Sequence, residues 1–142
     1  MSVSAPPVLL VPTRPARVTA AVVLVVLAAL GDLLLAAGAW YASGHPRLLV
    51  PLHLTAGTVH AASVAEFAIG VGLLVLAVAL ARGSGLARGL VTLAMVVRAT
   101  LAVLTVATIG TVSLSADLAA VAGSAIVLGL LWNRPANAYF LS

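Results

Sequence analysis

Four ionisable residues stand inside apolar runs: Asp32 in LAALGDLLLAA, Glu66 in ASVAEFAIG, Arg98 in TLAMVVRATLAVLT and Asp117 in LSADLAAVAG. A carboxyl group in such surroundings can hold or pass a proton, bind a cation, or pair with a guanidinium. Arginine is narrower in scope, because it stays charged at any physiological pH and presents a fork of donors to a carboxylate. Each charge at the centre of a membrane helix costs ~2.5–3.5 kcal/mol on insertion scales. Such groups are therefore expected to converge rather than face lipid one by one. Asp32 is the expected first partner of Arg98, and Glu66 the second, with Arg98 bridging the two acids. The cluster Asp32, Glu66 and Arg98 then has two readings. One is a structural clamp that fixes which helices meet. The other is a proton or cation relay, since two acids facing one arginine leave a carboxyl in excess.

Asp117 carries a milder expectation. Ser115 can cap the helix that follows, which sets Asp117 in its first turn against the positive end of the helix dipole. His45, His53 and His60 could in principle ligate a metal, but no pair falls at the i, i+4 spacing of a helical site. Solvated loop histidines are the expectation, with no metal and no cofactor. Cysteine is absent, which excludes disulfides and thiolate chemistry. No glycine-rich phosphate loop, nucleophile elbow or zincin motif occurs, so no catalytic residues are assigned and an enzyme is not expected.

The elements that must position these groups follow from composition. Hydrophobic residues make up 63% of the 142-residue chain, charged residues only 7%, and mean hydropathy is +1.26. A soluble domain needs roughly 25% charged residues for its wet surface. The expected fold class is therefore all-α, an integral membrane four-helix bundle. Apolar runs at about 18–41, 59–81, 86–111 and 114–132 each approach the ~20 residues needed to cross a ~30 Å hydrocarbon layer. Continuous runs of this length suit helices rather than barrel strands. At 1.5 Å per residue, Asp32 and Glu66 lie roughly 14 and 10 Å below one end of their helices, Asp117 about 5 Å, and Arg98 about 20 Å.

Residues 1–17 hold Pro6, Pro7, Pro12 and Pro15, so a disordered or interfacial tail is expected there. The transmembrane domain then runs 18–133, followed by a short tail at 134–142. Arg14, Arg17, Arg82, Arg88 and Arg134 fall on one side of four crossings and only Arg47 on the other. That bias predicts both termini in the cytoplasm, with Trp40 and Tyr41 at the outer interface and Trp132, Tyr139 and Phe140 at the inner one. AGA at 37–39 imitates a signal-peptidase site, but the run before it is too long and contains Asp32. The segment 42–58 is the only sizeable outer loop. Basic residues are scattered without interleaved aromatics, so nucleic acid is not an expected partner.

RPARVTAAVVLVVLAALGDLLLAAGAW near the start and LLWNRPANAYF near the end resemble small four-span membrane proteins of actinobacteria, a group without an established activity. VAEFAIGVGLL is similar to the corresponding stretch of DoxX-like proteins, which are also four-helix membrane proteins. Both resemblances imply the same architecture in a bacterial plasma membrane. All seven basic residues are arginine, which fits a GC-rich bacterial gene. Small multidrug carriers offer a functional comparison, with Asp32 in the place of their membrane acid. Their aromatic-rich helices are missing here, at 4% aromatic residues, and Arg98 is a departure for an organic-cation site. The expected function is a non-enzymatic interaction, assembly or accessory subunit whose partners are the lipid bilayer and other membrane proteins or further copies of itself. The alternative is a small proton-coupled transporter working as a homodimer.

Overall fold

A computed structural model describes residues 15–50, 54–109 and 114–141, with side chains left out of the description at 105–109, 114–117 and 141. Among the described residues there are five α-helices: α1 Ala16–Ser43, α2 Ala56–Ala81, α3 Gly85–Ile109, α4 Leu114–Leu131 and α5 Arg134–Leu141. A short 3₁₀ turn at Pro46–Leu48 sits between α1 and α2. The chain is all-helical among the described residues. The expected disordered tail at 1–17 lies outside them except for its last residues, of which Ala16 and Arg17 already belong to α1. Pro15 precedes that helix, where a missing N–H costs nothing.

α1 is longer than its apolar run at both ends, and α2 and α3 start earlier than theirs. The expected 18–41 is observed as 16–43, and 59–81 as 56–81. Local capping explains the second difference. Thr55 accepts from Thr58 N at 3.2 Å and starts α2 before its apolar residues begin. Ser84 does the same for α3, accepting from Ala87 N at 3.2 Å. α3 therefore starts at Gly85 instead of Leu86, and its described part runs to Ile109. Between α2 and α3 the chain reverses over Arg82–Ser84, and Gly83 takes a left-handed φ of 82° that a side chain would strain.

Three helices are individually long and apolar enough to cross a membrane: α1, α2 and the stretch Gly85–Leu104 of α3. The described part of α4, Leu118–Leu131, reaches that standard together with α5, and the two meet at a bend of 66°. The span count is thus three, or four with the bent pair taken as one crossing. The final tail expected at 134–142 is mostly a helix. Asn133 accepts from Ala136 N at 3.0 Å and caps it, while Pro135 fits its first turn.

α1 packs along α2, and α3 along α4, with α1–α4 and α2–α3 completing the ring. Neighbours run antiparallel, since Trp40 meets His60 at one end while Ala29 meets Gly70 further down. The α1 residues that face inward are Val18, Ala21, Val25, Ala29, Asp32 and Ala36, a spacing of three and four. On α2 they are Ser63, Gly70, Leu73, Ala77 and Leu80. Small side chains on both strips let the backbones approach closely. A Cβ on Gly70 would stand 2.9 Å from Leu33 Cγ and 3.1 Å from the Ala29 carbonyl. Residues such as Val25, Leu73, Leu80, Val91, Met95 and Leu131 form one apolar core. It fills the half of the bundle nearest the α2–α3 turn, and the polar residues sit at its upper edge.

Candidate functional site

Asp32 and Arg98 lie opposite each other, on α1 and α3. Arg98 Nη1 donates to both carboxylate oxygens of Asp32, at 2.6 and 2.7 Å. Asp32 is almost wholly enclosed at 1% exposure, whereas the arginine side chain keeps 32%. The asymmetry has a simple origin. Asp32 is one short stem on the inward strip of α1, while Arg98 reaches in along its aliphatic chain from a half-buried position on α3. By the 1.5 Å rise, Asp32 and Glu66 lie about 16 and 15 Å from the loop ends of α1 and α2, and Arg98 about 20 Å from the start of α3. In helices of about 40 Å, this puts all three groups near one level close to mid-height.

Glu66 is half-buried and makes no hydrogen bond or ion pair among the described residues. The expected bridge from Arg98 to both acids is therefore replaced by a chelate on Asp32 alone. One nitrogen occupies both Asp32 oxygens, and α2 packs far less closely on α3 than on α1. Glu66 nevertheless lines the same cavity as the pair. That cavity has a volume of about 340 Å³, and its walls include Leu35, Ile69, Leu73, Val97 and Leu101. Among the described residues α4 contributes Ala120 to it. Arg98 also lines a second space of about 200 Å³ towards α4, beside Gly123 and Ser124.

Small residues surround the cluster. Ala29, Ala36, Ser63, Gly70 and Ala102 are buried, while Ala62 is exposed. Ser63 spends its hydroxyl on the His60 carbonyl at 2.8 Å, and Ser124 on Ala120 at 2.7 Å, the usual fate of hydroxyls on apolar helices. The side chains of Ser115 and Asp117 lie outside the described residues, as does His53. His45 and His60 do not share a site. His45 donates through Nδ1 to the Tyr41 carbonyl at 2.8 Å and stacks on that ring, whereas His60 packs on Trp40 with centroids 4.6 Å apart.

Sequence reasoning missed a second polar cluster at the other end of the bundle. Arg88, read as a charge beside the α2–α3 turn, lies one turn inside α3 and is only 8% exposed. Its guanidinium carbon stands 4.0 Å from the Trp132 ring centroid and 5.3 Å from that of Phe140, and Nη2 donates to Asn137 Oδ1. Trp132 Nε1 donates to Thr92 at 3.0 Å, and Thr92 donates to the Arg88 carbonyl at 2.8 Å. Tyr139 donates to the Ala81 carbonyl at 3.2 Å, its ring resting against Gly83. The readable signal was Asn133 followed by Pro135, a helix start placed straight after the last apolar run.

Fold and site together define a chain, all-helical among the described residues, with several candidate membrane spans and the Asp32–Arg98 ion pair between them. No known protein family, characterised relative or solved structure matches the chain.

Proposed function

We propose that the protein is a multi-pass protein of the bacterial plasma membrane with both termini in the cytoplasm. It acts without catalysis, as an interaction or assembly subunit. The observation that carries this reading is the Asp32–Arg98 chelate. Both oxygens of an almost wholly buried carboxylate are taken up by a guanidinium, so the pair holds α1 to α3. Leu34, Val75, Leu86 and Leu93 are among the large apolar residues turned outward, suited to lipid or to another helix. A photoreactive residue at Leu34 or Val75, activated in native membranes, tests the reading. Adducts with membrane proteins or a second copy are the expected result. Adducts with lipid alone at every outward position would overturn it.

One observation favours a second reading, a small proton-coupled carrier. Glu66 is a carboxyl left over from the ion pair, in a cavity at mid-height between helices, where carriers commonly hold substrate and coupling ion. Uptake driven by a pH gradient into vesicles containing the purified protein, abolished by Glu66→Gln, is the expected result for a carrier. Equal uptake by the variant would end it.

A further inference from the structure

We propose that the cavity between α2 and α3 binds a monovalent organic cation, an amine with an apolar body, in exchange for a proton on Glu66. The inference deepens the carrier reading and rests on it for its use in the cell, although binding itself can be tested apart from transport.

The argument begins with charge. Asp32 and Arg98 cancel each other inside the chelate. Glu66 lines the same cavity and has no partner among the described residues. Among the described residues, the groups that face it are Asp32 from α1 and Arg98 from α3, and α4 adds the neutral Ala120. An ionised Glu66 would therefore leave the site with one net negative charge. At this depth that charge is costly, and it can be cancelled in two ways. Either a proton sits on the carboxyl or a cation lies beside it. The two occupancies exclude one another. In the balanced step, a protonated amine R–NH₃⁺ enters, the Glu66 O–H bond breaks, the carboxylate pairs with the ammonium, and the proton leaves to water.

The walls decide which cation. A hard metal ion needs about six oxygen ligands. Here the Asp32 oxygens are spent on Arg98, and helix carbonyls are committed to their own backbones. Only the Glu66 carboxylate remains. The rest of the lining is Leu35, Ile69, Leu73, Met95, Val97 and Leu101 with small alanines between. A cation that brings its own hydrocarbon fits such walls. The volume of about 340 Å³ lies near the lower end of small-molecule sites, ~300–1,000 Å³. The site is therefore matched to a short-chain amine rather than to a large multi-ring cation.

The test uses the full chain purified in a non-ionic detergent. Hexylammonium is titrated calorimetrically, with hexanol and hexanoate as neutral and anionic counterparts. Hexylammonium is expected to bind at least about tenfold more tightly than either, a difference of ~1.4 kcal/mol. In weakly buffered solution, binding should release protons, approaching one for each amine bound. Glu66→Gln should lose that affinity and the proton release together, while Glu66→Asp keeps both in part. A measurement on the unaltered protein guards against misfolded variants. A hydrophobic carbodiimide should label Glu66, read by mass spectrometry, and hexylammonium should protect it. Hexanol binding as tightly as hexylammonium, no proton released, or unprotected labelling would each overturn the proposal. Binding with proton release but no flux in vesicles would leave the site standing and end the carrier reading. Flux without hexylammonium binding would do the reverse.

Discussion

At the scale of single residues, the Asp32–Arg98 pair is a problem of desolvation. Two charges removed from water lose hydration, and their attraction in a dry interior offsets that loss only with good geometry. Chelation of both carboxylate oxygens by one nitrogen supplies it. Removing one partner strands the other, so Asp32→Ala and Arg98→Ala should each destabilise the protein by about 3 kcal/mol or more. The double replacement Asp32→Leu with Arg98→Met removes both charges and should recover most of that loss. Thermal unfolding in detergent of the singles and the double gives the comparison. A double variant as unstable as the sum of the singles would mean that the two side chains act independently. Glu66 behaves differently in this frame: with no bonded partner, Glu66→Gln should leave thermal stability nearly unchanged.

At the scale of elements, close approach and a docked terminal helix organise the bundle. α1 and α2 are in contact at Gly70, where even a methyl group would press on Leu33 and the Ala29 carbonyl. Leu33 can swing aside, but the carbonyl belongs to a helix and cannot. Gly70→Val should therefore cost about 1–3 kcal/mol by overpacking. Gly72→Ala, where a Cβ meets nothing within 4 Å, should be neutral or slightly stabilising. Their melting temperatures should separate accordingly. α5 is held under the bundle by Arg88, Trp132, Asn137 and Tyr139. Tyr139→Phe deletes one hydrogen bond, worth about 1 kcal/mol. Trp132→Ala removes both the ring beneath Arg88 and the bond to Thr92, and should cost more. Hydrogen exchange along 134–141 should rise in that order, with α1 and α2 unaffected.

The same scale shows what could be read in advance. Apolar runs interrupted by Asp32, Glu66 and Arg98 were enough to expect helices and to pair residue 32 with residue 98, because isolated charges in oil have few places to go. Helix ends were less legible. They depend on caps such as Thr55 and Ser84, whose hydroxyls bond neighbours three residues on, and on α5, which carries little apolar signal of its own. The cavity was not legible at all. Its size follows from how loosely α2 packs on α3, which no local pattern encodes. The burial of Arg88 is illegible for a related reason. A charge near a helix end reads as solvated unless the segment that covers it, here 132–140, is known to fold back.

At the scale of the whole molecule, charge is distributed unevenly from end to end. α1 starts, α2 ends, α3 starts and α4 ends on one side, and Arg17, Arg82, Arg88 and Arg134 collect there. Arg47 belongs to the opposite end. In a membrane this asymmetry selects an orientation, because positively charged segments stay on the cytoplasmic face. Arg88 complicates the count, since its charge lies against Trp132 and Phe140 once folded. Insertion is decided before that packing exists, so Arg88 still counts. The chain has no cysteine, so single replacements report cleanly. Ala138→Cys on α5 and Gly57→Cys at the start of α2 are both exposed and lie at opposite ends. In intact cells, a maleimide that cannot cross the membrane should label Gly57→Cys and reach Ala138→Cys only after permeabilisation. Labelling of Ala138→Cys in intact cells would invert the orientation. Equal labelling of both would instead break the link between charge and topology, and with it the four-crossing count that puts both termini on one side.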